Sequence, residues 1–350
     1  MIMNGIDVLH YVIAFLCISC GFHVYSSKRI TENHSQIFAC FLAVFMALIM
    51  GFYDIPISSD REAYANGYFS KADISWSDTL WQGEWVFASY MKLLSPLDNV
   101  QLWFIITALI YTLNYWAAAK RLAPRNCYLL YISMAASFCF ASYGFNTIRA
   151  GLALSLVTLA ITYHKNFWTS AFLFFLAFNI HHSTGIPIGA FYIAKYYDRP
   201  KFFYYFWFLC VFLSAVAGGF FQTLFASLGE DSESRISYLT TTETYYNIGF
   251  RIDFLLYGCL PIIMGYIYQN KLHYQNKFYT YLHSTYTISN AFWVLVIRAN
   301  FSDRFAYLSW FLYAIVMLYP FLENPRHFAN CNQRMGLIII GIAVFKFIMY

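Results

Sequence analysis

The 350-residue sequence is too apolar for a soluble protein, because 60% of its residues are hydrophobic and only 11% are charged, against about 25% charged residues in a typical soluble domain. Apolar runs of roughly 20 residues, enough to cross a bilayer, recur along the whole chain and exclude a separate soluble domain of about 100 residues. The net charge of +5 is divided between the two predicted faces of the membrane, so it does not indicate a nucleic-acid partner.

The apolar runs predict an all-α fold: a polytopic transmembrane bundle of about eleven to twelve helices in one integral membrane domain, residues 1–350. One run, 186–197, is short for a full crossing and predicts a half-helix or a packed segment. In chain order, the predicted helices are 7–25, 36–55, 99–118, 127–143, 148–163, 167–183, 186–197, 202–221, 250–268, 279–298, 304–322 and 335–350.

Basic residues are concentrated in alternate connections between the predicted helices, as the positive-inside rule expects of cytoplasmic loops. Six short connections hold 13 of the 22 Lys and Arg but only three of the 17 acids. These connections are 26–35, 119–126, 164–166, 195–201, 269–278 and 323–334. The opposite face therefore carries two long segments, 56–98 and 222–249. The first is amphipathic around Trp76, Trp81 and Trp85, which predicts interfacial helices in the outer loop.

Four arginines fall at or near helix ends on the predicted outer face: Arg149, Arg251, Arg298 and Arg304. Arginine there opposes the positive-inside bias, and beside a helix N-terminus it suits a phosphate ligand. Each could instead extend its side chain to the lipid head groups.

His181, His182 and Ser183 end a helix at the same face, and the acids Asp60 and Glu84 precede helices in the first outer segment. A histidine in such a position can bind a phosphate or a sugar or move a proton, and a carboxylate there can act as a base. An ion pair or a capped helix end explains these residues equally well. The sequence contains no nucleotide-binding, kinase or metalloprotease motif, so chemistry driven by a soluble nucleotide is not expected, and neither a metal nor another cofactor is implied.

Several segments resemble, in order, the EpsG-like polysaccharide polymerases, which are relatives of the Wzy O-antigen polymerases. Asn146-Thr147-Ile148-Arg149-Ala150 is similar to the family's Asn-x-x-Arg-Gln signature, with Ala150 where glutamine is usual. Asn179-Ile180-His181-His182-Ser183 is similar to its helix ending in His-x-Ser. Weaker likenesses surround Asp60-Arg61-Glu62-Ala63-Tyr64, Gly83-Glu84-Trp85, Arg235-Ile236-Ser237-Tyr238 and Arg304-Phe305-Ala306-Tyr307.

The resemblance implies a glycosyltransferase of the bacterial inner membrane with its active site facing the periplasm. Such an enzyme moves a glycan chain from undecaprenyl diphosphate to the non-reducing end of a lipid-linked repeat unit. Its expected partners are therefore the undecaprenyl-diphosphate-linked oligosaccharide and the lipid bilayer. A chain-length regulator protein is a further candidate partner. The catalytic candidates are Arg149, His181, Glu84, Asp60 and Arg304, with Glu84, Asp60 and His181 left open as the general base. The substrate-binding candidates are Arg235, Arg251, His182, Ser183, Tyr238, Tyr307 and Asn146.

Two other classes compete with a polymerase. A flippase or transporter for the same lipid-linked sugar would bury charge along a two-sided path, often in repeat-related halves. Here the charges gather at the outer rim and no repeat is visible. An O-antigen ligase or a membrane acyltransferase also has many spans, and the ligase uses an outer loop with arginine and histidine. The order of the two arginine and histidine elements favours the polymerase.

Overall fold

The computed structural model describes residues 5–26, 32–228, 249–299 and 302–349, and every regular element in these ranges is helical. The predicted all-α class is therefore confirmed. Arg235 and Tyr238 lie outside the described residues.

The described helices fall into two compact units. The first unit comprises the helices before Gly185 together with Leu318–Ile348, and the second comprises Ile186–Met317. The prediction of one membrane domain stays a prediction. Up to the unit boundary the helices are α1 (Gly5–Ser26), α2 (Glu32–Gly51), α3 (Ser59–Ser70), α4 (Trp76–Leu80), α5 (Trp85–Leu94), α6 (Val100–Leu122), α7 (Cys127–Ala135), α8 (Phe138–Phe145), α9 (Ile148–Thr162) and α10 (Phe167–Ile180).

The second unit begins within α11 and ends within α16. The remaining helices are α11 (Gly185–Tyr196), α12 (Pro200–Leu228), α13 (Ile252–Tyr266), α14 (Lys277–Leu295), α15 (Ser302–Trp310), α16 (Tyr313–Glu323) and α17 (Cys331–Met349). In this unit α14 packs against α12, α13 and α15.

Serine and asparagine side chains begin several of these helices. Ser58 and Ser75 accept the backbone N–H three residues ahead at the starts of α3 and α4. Asn99 and Asn166 do the same for α6 and α10. Each such cap satisfies a backbone donor that has no partner inside its own helix.

Five helices among the described residues are long and apolar enough to cross a membrane, or six if the bent pair α7 and α8 is one span. Three shorter apolar helices accompany them: Ser35–Gly51, Ile148–Thr162 and Phe167–Ile180. The chain is thus a multi-pass membrane protein. Length and composition alone establish five or six crossings, which is fewer than the eleven to twelve predicted.

Breaks within the apolar runs account for part of this difference. The predicted helix 127–143 is two helices that meet at 70°. Ser137 between them has an extended backbone, and its hydroxyl donates to the Met134 carbonyl at 2.6 Å. Hydropathy reports that a segment is apolar, but it does not report a bend of this kind.

The first unit has a core cluster in which α3 and α5 pack against α6 and α9. Trp103 of α6 lies at its centre, with ring centroids 6.1 Å from Phe87 and 6.0 Å from Tyr68. Burying a large apolar side chain of this kind stabilises a fold by about 1.5–3 kcal/mol relative to leaving it in water. The segment 56–98, predicted to form outer-loop helices, is therefore helical and fixed to the bundle through α3 and α5.

Candidate functional site

Glu84 joins two other sequence-predicted site residues in the first unit. One of its carboxylate oxygens, Oε2, lies 2.7 Å from Nη1 of Arg149. The other, Oε1, lies 2.7 Å from Nδ1 of His181 and accepts the backbone N–H of His182 at 3.0 Å. We refer to Glu84, Arg149 and His181 as the Glu84 triad.

Three helix ends bring the Glu84 triad together. Glu84 is the N-cap of α5, Arg149 lies in the first turn of α9, and His181 ends α10 with an extended backbone. The core cluster fixes these helix ends. Ile148 and Ile180 directly precede the arginine and the histidine and belong to that cluster, and Val86, two residues after Glu84, packs against it. Apolar packing thus positions the polar groups.

Glu84 stays ionised throughout the physiological pH range. Burial opposes its charge, but the hydrogen bond and charge of His181, the charge of Arg149 and the backbone N–H of His182 outweigh burial and lower the pKa of Glu84 from 4.5 to about 2. A carboxylate this acidic is a poor acceptor of a substrate proton. The geometry therefore favours an orienting role for Glu84.

The ionised carboxylate determines which nitrogen of His181 carries hydrogen. A carboxylate can only accept a hydrogen bond, so Nδ1 of His181 donates to Oε1 of Glu84. In the neutral imidazole, Nε2 then carries the lone pair. This arrangement, a carboxylate behind one ring nitrogen and a basic nitrogen on the other side, is the one that general-base histidines use.

Arg149 is the most exposed member of the Glu84 triad. Its side chain is 36% exposed, against 11% for Glu84 and 18% for His181, and its guanidinium carbon lies 5.9 Å from the ring centroid of Phe87. Three neighbouring buried atoms lack hydrogen-bond partners among the described residues: Arg149 Nε, Asn146 Oδ1 and Thr147 Oγ1. Arg149 Nε can donate a hydrogen bond, Asn146 Oδ1 can accept one, and the Thr147 hydroxyl can do either. A polar ligand would satisfy these three atoms.

The structure distinguishes the two adjacent histidines. The imidazole of His181 contacts Glu84, whereas the ring of His182 stacks on Phe178 with centroids 4.8 Å apart. His182 contributes its backbone N–H to the site. Ser183 lies in the short 3-10 turn His182–Thr184 that follows.

Asp60 lies in the first turn of α3 and is not a member of the Glu84 triad. The next residue, Arg61, was not predicted to matter, yet it is fully buried. Its Nη2 donates to the carbonyls of Gly51 and Tyr53 at 3.0 and 2.9 Å, and its guanidinium stacks 3.9 Å from the Phe104 ring centroid. Arg61 thus fixes α3 to the C-terminal end of α2, where a helix dipole favours a cation.

The other predicted site residues that the structure describes belong to the second unit. Arg251 forms an ion pair with Asp253 at 2.6 Å and lies 3.7 Å from the Phe254 ring centroid. Arg304 lies in the first turn of α15. Tyr307 is 3% exposed, with its ring 5.9 Å from that of Trp310. The functional roles of these three residues stay predictions.

The fold and the site define a multi-pass helical membrane protein in which three helix ends hold one carboxylate between an arginine and a histidine. The chain belongs to the EpsG family, whose model matches residues 36–350. Membership of this family suggests a membrane glycosyltransferase of the polysaccharide-polymerase type. No curated protein and no solved structure matches the chain significantly.

Proposed function

We propose that the protein is an O-antigen-type polysaccharide polymerase of the bacterial inner membrane, with the Glu84 triad as its catalytic centre. It transfers a glycan chain from undecaprenyl diphosphate to the non-reducing end of a second lipid-linked repeat unit. The contact of Glu84 with both Arg149 and His181 carries this proposal. It supports the proposal because a guanidinium, which can bind an anion, and an imidazole, which can act as a base, contact the same carboxylate.

In the proposed step, Nε2 of His181 accepts the proton of the acceptor hydroxyl. The hydroxyl oxygen forms a bond to the anomeric carbon as the bond from that carbon to the diphosphate oxygen breaks. The leaving diphosphate takes the electron pair, and Arg149 stabilises the charge that develops on it. Glu84 holds the imidazole in the required tautomer and stabilises the imidazolium that forms.

The predicted topology is consistent with a periplasmic site. The positive-inside pattern independently assigns Glu84, the start of α9 and the end of α10 to the outer face, and residues in contact must lie at the same face. The reaction needs no nucleotide, because the sugar–diphosphate bond already stores the free energy that drives the transfer.

A glycan profile from whole cells tests this proposal. Cells lacking the protein should make surface glycan capped with a single repeat unit, and wild type should restore a ladder of chain lengths. His181→Gln, expressed at the wild-type level, should leave the single-unit product. If cells lacking the protein accumulate lipid-linked units and make no capped glycan, the polymerase proposal fails in favour of a flippase or a ligase.

A further inference from the structure

A groove of about 420 Å³ lies between α2 and α6, in the first unit and separate from the residues of the Glu84 triad. Ile37 and Phe41 on its α2 side are 54% and 71% exposed. Its lining residues are Gln36, Ile37, Cys40, Phe41, Val44, Trp116 and Lys120. Ser35–Gly51 of α2 is one of the shorter apolar helices, and it packs against α6, whose residues Val100–Leu122 are a candidate membrane span. Large exposed apolar side chains beside such a span suit contact with lipid chains rather than with water.

One end of the groove is polar and internally fixed. Trp116 Nε1 donates to the Gln36 carbonyl at 3.1 Å, and Gln36 Nε2 donates to the Pro124 carbonyl at 2.9 Å. Lys120, in the last turn of α6, holds its ammonium 5.1 Å from the Trp116 ring centroid. Because the indole and amide donors already have partners, Lys120 is the group of this rim that can bind an anion.

Lys120 is the charged residue that lines the groove, and the sequence around it is basic, although the guanidinium of Arg121 donates to Thr162 and lies 3.6 Å from the Tyr163 ring centroid. Arg121 and Arg125 follow Lys120, and no aspartate or glutamate occurs between Asp98 and Asp198. Glu32, at the start of α2, is the acid nearest in sequence to the α2 side of the groove. This end of α6 is predicted to face the cytoplasm, where the leaflet carries anionic lipid.

We propose that the groove binds an anionic phospholipid. One acyl chain lies along Ile37, Phe41 and Val44, and the phosphate lies at Lys120. From Gln36 to Val44 the helix rises about 12 Å, so the groove holds the upper part of one chain. A basic rim above an apolar groove between two helices is the arrangement that selects acidic head groups. This proposal does not depend on the reaction proposed for the Glu84 triad.

Native mass spectrometry of the full-length protein tests the proposal. The protein is purified in detergent, stripped of lipid and incubated with equal amounts of phosphatidylglycerol and phosphatidylcholine of the same chain length. Wild type should retain phosphatidylglycerol about fivefold more than phosphatidylcholine, the factor expected for one lysine near an acidic head group. Lys120→Gln should remove this preference.

Two further variants separate the acyl contact from the charge. Phe41→Ala, at an exposed position that leaves the core intact, should weaken retention of both lipids. Lys165→Gln is the matched control, because Lys165 is also exposed at a helix end in the same unit but does not line the groove. Equal retention of the two lipids by wild type would overturn the proposal. So would an equal effect of Lys165→Gln and Lys120→Gln, or full retention by Phe41→Ala.

Discussion

Replacing Glu84 with glutamine should disable the proposed site while changing almost nothing in its shape. The amide oxygen can still accept from the His182 backbone N–H, but the negative charge shared by Arg149 and His181 is lost. His181 is then no longer held with hydrogen on Nδ1, and its imidazolium has no counter-charge. The same change in the carboxylate–histidine pair of a serine protease lowers turnover by about 10⁴-fold.

The same substitution should destabilise the fold by an amount set by the carboxylate's pKa. The difference between the ordinary value of 4.5 and about 2 in the folded protein corresponds to about 3 kcal/mol at neutral pH. For a chain of this size, that free energy lowers the melting temperature by about 5 °C. Glu84→Gln should therefore lose polymerisation and melt earlier, yet still fold.

The assay pairs a glycan ladder from complemented cells with thermal unfolding of the purified variant followed by tryptophan fluorescence. Glu62→Gln is the matched control, because it makes the same chemical change at an exposed position of the neighbouring helix α3. The control should give a wild-type ladder and melting temperature. A wild-type ladder from Glu84→Gln, together with melting like the control, would refute the reasoning.

Four further outcomes are expected. His181→Gln should lower polymerisation at least 100-fold, measured as turnover of purified protein, and should lower the melting temperature by less than Glu84→Gln does, because Arg149 and the His182 backbone N–H still stabilise the carboxylate. Arg149→Lys should lose less activity than Arg149→Ala in the same assay, because lysine keeps the charge but lacks the planar set of donors. Because the pKa of Glu84 is depressed in the folded state, the ionised carboxylate stabilises the fold above pH 4.5, and this stabilisation is lost as the pH falls towards 2. Acid should therefore lower the melting temperature of wild type more than that of Glu84→Gln. Arg61→Ala should destabilise the protein by roughly 3 kcal/mol, since it leaves a cavity and removes two hydrogen bonds to carbonyls; a wild-type thermal melt would contradict its anchoring role.

The sequence predicted the membrane class and most helices correctly, because the apolar runs and the basic connections are strong local signals. It also selected Glu84, Arg149 and His181 as candidates. It did not predict that one carboxylate joins the other two, since these residues are up to 97 positions apart and meet only through the packing of α5, α9 and α10.

Other features had no sequence signal that could have revealed them. The buried position of Arg61 contradicts the ordinary expectation that arginine is exposed, and it arises from the end of α2 and the ring of Phe104. The 70° bend between α7 and α8 depends on the extended backbone of Ser137. The position of Arg61 is determined by tertiary contacts, whereas the bend is determined by the local backbone at Ser137.

The most direct test of the central claim is polymerisation by the purified protein in lipid vesicles. Wild type is supplied with a single lipid-diphosphate-linked repeat unit and no nucleotide, and the products are separated by length. The account predicts a ladder from wild type and from Glu62→Gln, and no extension beyond the starting unit from His181→Gln. A ladder from His181→Gln equal to that of wild type would contradict the assignment of the Glu84 triad. A wild-type protein that extends nothing would contradict the polymerase function itself.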